Sequence, residues 1–540
     1  MDPILGFLLI ISPIILAFIL LVFLHKAADT TGVIVWLVTV LIAIVAFQTD
    51  IGIALVASIA GIVKSFPISL MVLTSILMMT YMQETGSLQR LIVFFKTLGG
   101  GSKPMQIMLI SLGLGLFLVG IGATPVSMLP PVMLALGFSP LVAVALPAIG
   151  YDPLTTFALL GVPAQVFNTE FFNVSGMEYP LWQTSSVFAW YMPVITTGIA
   201  ISMLWIAGGK ALLKDREGMG LAVLSGVTAG VVAIIANSQL IDQTVLTNVF
   251  AGAAVIGVLT LYLRIRRKPM IDRSILTTED QEVESKMSLL RASIPWLILV
   301  ILCLVTNLIP FIKDILFTDL ALPVQVGAYP FAIKTRFFWQ AYFLMLVAVV
   351  LSIPFFNRDS EVMKNTMKKF AKRAPRPVLA AAIFFAMAEV MNFSGWIPDI
   401  STGIWLNPTD PINGLDPTNN MVYLLATLTS GTIGLAYPLT AAFIGLLAGF
   451  ISGSETSAIA MFTGYHHQAS TLIGANSMVV AASSGIGGGL ASVLSPAKIQ
   501  NAAAVVDQIG IEGDVIRYGA VVAILMTLAV ALMTMVWAFA

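Results

Sequence analysis

The stretch Gly453-Ser-Glu-Thr-Ser457 interrupts apolar sequence that is otherwise fit to cross a bilayer, and it constrains the fold more than any other feature of the chain. Backbone that leaves the helix at membrane depth finds no hydrogen-bond partner in lipid. It must therefore be buried in protein or line a wet cavity. The first half carries a counterpart, Gly120-Ile-Gly-Ala-Thr-Pro125. One interruption in each half is the pattern expected of a carrier whose cargo binds between broken helices.

The composition agrees with a membrane setting. Hydrophobic residues make up 58% of the 540 positions and charged residues 10%, against roughly 45–50% and 25% in soluble domains. An all-α polytopic membrane protein is the expectation. Lys and Arg number 27, as do Asp and Glu, so nothing points to nucleic acid. The single cysteine, Cys303, excludes a disulfide within the chain and a cysteine-based metal cluster; no cofactor is expected. Residues 4–24 resemble a signal peptide. The charge before them is Asp2 rather than a basic cluster, so they read as an uncleaved first helix.

Long apolar runs lie at 4–24, 141–160, 187–206, 220–236, 245–263, 294–309, 337–353, 378–393 and 521–539. Crossing about 30 Å of hydrocarbon takes about 20 helical residues. Shorter pieces at 33–47, 51–63, 68–82, 107–119, 126–136, 421–435 and 441–450 suit half-helices or re-entrant hairpins, giving about 13 spans in all. Basic residues gather at Lys210–Arg216, Arg264–Lys268 and Lys364–Arg376, and the positive-inside rule puts these loops in the cytoplasm. Residues 264–291 form the longest polar connection and divide an N-terminal membrane repeat, 1–263, from a C-terminal one, 292–540. The segment from Gly137 to Pro163 matches that from Gly474 to Pro496 in order: a break, a helix opened by a small or polar residue, then a Gly/Pro interruption. The assigned loops give these helices opposite directions, as in an inverted-topology repeat.

Three places resemble the lactate permease family: Gly120-Ile-Gly-Ala-Thr-Pro-Val126, Ala388-Glu-Val-Met-Asn-Phe-Ser-Gly395, and Gly453-Ser-Glu-Thr-Ser457 followed by Gly487-Gly through Ser495-Pro496. The likeness implies import of 2-hydroxymonocarboxylates such as lactate and glycolate. It also implies a scaffold domain paired with a mobile transport domain in an elevator-like homodimer. The chain departs from the family pattern at four points. Thr124 is inserted, Glu455 stands where Asp is usual, Ile459 replaces Asn, and Ser492 occupies a position where a Lys commonly precedes the Ser-Pro.

An anion can be held without that lysine, because a half-helix N-terminus offers free N–H groups and partial positive charge. Candidate substrate contacts are Gly120, Gly122, Thr124, Ser127, Asn392, Ser394, Ser454, Thr456, Ser457, Ser483, Ser484, Gly485 and Gly487. Small residues of this kind also serve simply to pack helices closely. Glu455 is the sharpest candidate for ion coupling, since a carboxylate at membrane depth beside an anion must be protonated or cation-paired; capping its helix is the bland alternative. Asp152, Glu389, His466 and His467 are further coupling candidates, whereas Asp50, Glu84, Glu170 and Glu178 read as solvated helix ends.

These readings converge on an inner-membrane symporter, most simply one taking up a small organic anion such as lactate or glycolate with protons. A sodium-coupled carrier of dicarboxylates, sulfonates or another organic anion is the rival. Tyr151-Asp152 matches half of an intramembrane aspartyl protease signature, but its Gly-x-Gly-Asp partner is absent, as is His-Glu-x-x-His.

Overall fold

The structure, a computed structural model, describes the 540-residue chain except residues 1, 21–23, 25, 27, 99–101, 123–124, 357–359, 400–402, 496–497, 500–501, 504–505, 507 and 509–510; of residues 18, 28, 127, 451 and 492 only the backbone is described. Thr124 thus lies outside the described residues, and so do the side chains of Ser127 and Ser492.

Apolar sequence becomes helix here because only helices satisfy their own backbone in hydrocarbon. Among the described residues, nine helical segments are long and apolar enough to cross a membrane, and seven more are apolar but only 10–17 residues long. Several of the short ones abut one another at a break, so the count of about 13 crossings is not a simple sum. Ile51–Lys64 passes to Phe66–Glu84 through Ser65 alone, and Pro438–Ser452 passes to Glu455–Leu472 through Gly453 and Ser454. The apolar run at 141–160, expected as one span, is instead broken: helix Pro140–Gly150, a 3₁₀ turn at Asp152–Phe157, and a second helix, Ala158–Ser175. Glu512 and Asp514 lie in the first turn of the last helix, Glu512–Trp537. Strand is confined, among the described residues, to two short ribbons, Pro323–Val324 with Ile333–Lys334 and Ile397–Pro398 with Trp405–Leu406.

Small residues set the closest helix contacts. On Arg216–Ala236, a methyl added to Gly226 would meet the Thr197 backbone, and one added to Gly230 would meet the backbone of Pro193. That helix can therefore lie directly against Leu181–Lys214. Its other face exposes Val223, Val227, Val231 and Ile235, an apolar surface suited to lipid and not to water.

The basic loops share one end of the bundle, joined by ion pairs. Lys268 lies 3.8 Å from Glu217, Lys96 2.8 Å from Asp280, Arg90 3.0 Å from Glu284 and Lys369 2.5 Å from Glu84. The connection 264–291 is thereby held against helix Ser87–Lys96, and its own short helix, Thr278–Lys286, opens with a capping box of Thr277 and Asp280.

Two local units have the same build. Gly137 and Gly474 both adopt positive φ, at 81° and 68°. Ser139 and Asn476 then cap helices Pro140–Gly150 and Ser477–Leu490, and each helix ends in a 3₁₀ turn, at Asp152–Phe157 and Ser492–Leu494. The contacts are reciprocal: each helix packs against the other unit's turn.

Candidate functional site

The 3₁₀ turn Asp152–Phe157 does not continue smoothly into the next helix. Leu159, Leu160 and Gly161 all have left-handed backbone, with φ of 55°, 59° and 72°. Leucine pays roughly 1–2 kcal/mol for this conformation, and such strain persists where surrounding structure enforces it. The freed carbonyls are met by side-chain amides: Asn248 Nδ2 donates to Leu154 O at 3.1 Å and Gln165 Nε2 to Leu160 O at 2.9 Å. Two carbonyls of the break are thus bonded within protein, in keeping with what membrane depth requires.

Facing it is the break of the second half. Gly453 ends helix Pro438–Ser452 at φ 67°, and Ser454 caps Glu455–Leu472 by accepting from Ser457 N at 3.4 Å. Glu455 is the first residue of that helix, and Thr156 Oγ1 donates to its Oε1 at 2.5 Å. Glu455 Oε2 is buried with no hydrogen-bond partner. A methyl on Gly489 would sit 2.5 Å from that oxygen and 3.2 Å from Thr155 Cβ, so glycine leaves the room the carboxylate occupies.

Asp152 joins the same enclosure. It accepts from the backbone N–H of Val493, and its Oδ1 is buried and unpartnered. Lys498 completes the group. Its ammonium interacts electrostatically with both Asp152 and Glu455 and lies 4.7 Å from the centre of the Tyr151 ring. Two buried carboxylates and one half-buried ammonium, from three breaks, therefore act on one another electrostatically. Two of the carboxylate oxygens lack a donor.

The sequence candidates distribute unevenly around this centre. Glu455 and Asp152 are brought together. Ser457 on the Glu455 helix and Ser484 on Ser477–Leu490 keep buried hydroxyls without a partner, and Thr456 is buried next to Ser457. Ser483 spends its hydroxyl on Val480 O at 2.7 Å. Gly485 packs against Ile459 and Phe188, and Gly487 against Ala442 and Leu446; both serve close helix packing.

Other candidates lie elsewhere. The interruption Gly120–Pro125 was expected to face Gly453–Ser457, but the break facing Glu455 is Asp152–Gly161. Gly120 instead packs against Asn248 and Val249, and Gly122 against Met71 and Met345. Ser394 accepts from Met421 N at 2.7 Å and donates to Met391 O at 2.6 Å, capping the next helix. Asn392 lies near Gly464, over two helical turns beyond Glu455. His466 Nδ1 is 2.7 Å from Tyr437 OH, and His467 Nδ1 3.1 Å from Ser477 Oγ with its ring edge-on to Phe171. Glu389 belongs to a different buried cluster with Lys64. Glu170, expected at a solvated end, is buried in that cluster too.

Lys498, Thr155 and Thr156 were not singled out from sequence. Lys498 stands two residues past Ser495-Pro496, and its proximity to an interrupted helix was the available signal. The threonines lay inside what read as an unbroken span.

A family model described as L-lactate permease matches residues 6–540. Among curated relatives, the glycolate permease GlcA of Escherichia coli (strain K12) is 23% identical, covering 95% of this chain and 92% of that protein. The L-lactate permease of Streptococcus iniae is 23% identical over 84% and 88%, and that of Escherichia coli (strain K12) 23% identical over 81% and 78%. A solved structure of the Neisseria gonorrhoeae efflux pump MtrF aligns over 95% of both chains at 11% identity and a TM-score of 0.46, too distant to carry an argument.

Proposed function

Because the chain belongs to the L-lactate permease family, and so is a multi-pass transport protein of the plasma membrane rather than an enzyme, we propose that it takes up 2-hydroxymonocarboxylates of the lactate and glycolate type together with protons. The observation that carries this reading is the pair of buried carboxylates Asp152 and Glu455, each with an unpartnered oxygen, beside the Lys498 ammonium.

Charge counting gives the coupling. With both carboxylates ionised, the group carries one net negative charge. A monocarboxylate drawn to the Lys498 ammonium raises this to two, in an enclosure where an uncompensated charge is strongly disfavoured. A proton on Glu455 or Asp152 restores the balance and turns an unpartnered oxygen into a donor for the substrate. Lys498 then pairs with the substrate carboxylate, and Thr156, with the freed carboxyl groups, reaches the 2-hydroxyl. Asp152 faces a glutamate and a lysine rather than a second aspartate, an arrangement unlike an aspartyl protease pair.

The reciprocal packing of Pro140–Gly150 and Ser477–Leu490 on each other's turns supports two inverted repeats. An elevator-like movement of these units against a scaffold, within a homodimer, belongs to the same reading. In proteoliposomes, Glu455→Gln is expected to abolish accumulation driven by an imposed pH gradient while substrate exchange stays measurable. Undiminished accumulation would remove Glu455 from the coupling role, and accumulation driven by a sodium gradient alone would favour the rival ion.

A further inference from the structure

A second group of buried charges shares no residue with the centre just described. Lys64 ends helix Ile51–Lys64 at its junction with Phe66–Glu84. Its Nζ lies 3.1 Å from Glu170 Oε2 and 2.7 Å from Glu389 Oε1. Tyr329, from the connection that carries the first ribbon, donates to Glu389 Oε2 at 2.5 Å. The three ionisable side chains are 3–7% exposed. Phe393 and Trp405 pack on the Tyr329 ring and seal that side. Glu170 stands nine residues beyond Gly161 on the same helix, roughly 13 Å at the rise of an α-helix.

Two carboxylates on one ammonium leave one negative charge too many for an enclosure of this kind. Their surroundings differ. Both oxygens of Glu389 are taken by donors, from Lys64 and Tyr329. Glu170 accepts from Lys64 on one oxygen and also from the side-chain amide of Asn173. Asn173 is partly exposed, and an amide can accept from a carboxylic O–H as readily as it donates to a carboxylate.

We propose that Lys64, Glu170, Glu389 and Tyr329 form a proton-binding site distinct from the Asp152–Glu455–Lys498 centre. A proton enters from the Asn173 side and an O–H bond forms on Glu170 as its ion pair with Lys64 is given up. Lys64 keeps Glu389, so one ammonium and one carboxylate remain and the charge balances. The ion pair with Glu170 ties helix Ala158–Ser175 to Ile51–Lys64 and Pro375–Asn392, and that same helix begins at the strained break beside Asp152. Proton uptake therefore loosens the far end of the element that bounds the candidate transport site. This rests on the transport reading only in taking the bound proton as a coupling ion.

The other titratable groups on the surrounding elements are engaged elsewhere. His467 is on Ser477, His466 on Tyr437, Glu455 on Thr156 and Tyr465 on Thr429. Asp50 accepts from Ile53 N, and Arg376 pairs with Asp29 at the opposite end of its helix. Arg336 and Glu178 act on each other.

Infrared difference spectra of the purified protein between acid and alkaline buffer, with no substrate, test the site through the carboxylic-acid C=O band. Glu170→Gln is expected to remove about one carboxyl equivalent from the native band and to lower pH-driven uptake about tenfold. Glu389→Gln, which leaves Glu170 as the sole partner of Lys64, is expected to remove the same band and serves if Glu170→Gln does not fold. Persistence of the full band in either folded variant, or its loss only in Glu455→Gln, overturns the proposal. Failure of the native protein to carry any monocarboxylate would instead strike the transport reading and leave the infrared result intact.

Discussion

Thr156 and Glu455 are 299 positions apart in sequence and 2.5 Å apart in space, the threonine hydroxyl donating to Glu455 Oε1. The bond crosses from the turn that breaks the first half to the first residue after the break in the second. Its partner oxygen, Oε2, receives nothing from the protein. The carboxylate is thus oriented by a donor on one side and buried without one on the other, the arrangement a group needs to hold a proton.

Replacing Thr156 with Val keeps the side chain's shape and deletes the donor. A buried polar group left without its partner costs about 1–3 kcal/mol. Lower thermal stability is expected, with transport reduced at least tenfold when uptake is measured in proteoliposomes. A variant that transports like the native protein would show that the bond does not orient Glu455.

Gly489→Ala separates helix propensity from site geometry. Alanine is favoured over glycine inside a helix by about 1 kcal/mol, so a purely structural position would gain stability. Here the added methyl meets Glu455 Oε2 at 2.5 Å and displaces the carboxylate. Loss of uptake without a gain in melting temperature is expected, and stabilisation with full uptake would contradict the geometry.

Lys498→Gln removes the ammonium shared by Asp152 and Glu455. Substrate affinity is expected to fall by tenfold or more, equivalent to about 1.4 kcal/mol. Equilibrium binding of labelled lactate to purified protein reads this directly. Unchanged affinity would mean that another group receives the substrate carboxylate.

Asp280 supplies a pH test outside the membrane. Burial pushes its carboxyl up, but the hydrogen bond from Lys96 and the donors of the Thr277 cap outweigh this and hold it below the usual carboxylate range. A carboxyl depressed in the folded state adds stability above its unfolded value, near pH 4, and loses it as pH falls through the folded value. Asp280→Asn is expected to melt below the native protein at pH 7, with the gap closing as the buffer is acidified beneath pH 4. A gap of constant size would point to a role independent of charge.

Membrane orientation can be read by labelling, because the single native cysteine, Cys303, is buried. Cysteines at Arg267 or Lys364, in the basic loops, should react only from the cytoplasmic side. A cysteine at Ile412, 90% exposed in the connection after the second ribbon, should react from outside. Labelling of both classes from one side would reverse or break the assignment.

The charged residues show how far sequence reading reached. Glu455 was legible because a carboxylate in apolar sequence is conspicuous on its own. Glu170 was not, since its place near a helix end looks solvated until Lys64, 106 positions away, is folded against it. The glycines at 485 and 487 announced close approach, yet a bare sequence does not distinguish approach to a ligand from approach to Ile459 or Ala442.

Apolar runs by themselves determined a helical membrane bundle and the break at Gly453–Ser454, because each depends on the free energy of moving a short segment between water and lipid, whereas the break at Asp152–Gly161 lay hidden in apolar sequence. Which breaks meet was decided only by the tertiary structure. Thr156 meets Glu455, with Asp152 and Lys498 close enough to act on that carboxylate, because helices closely packed on glycine bring distant segments together, and that pairing is a property of the packed bundle rather than of any one stretch of chain.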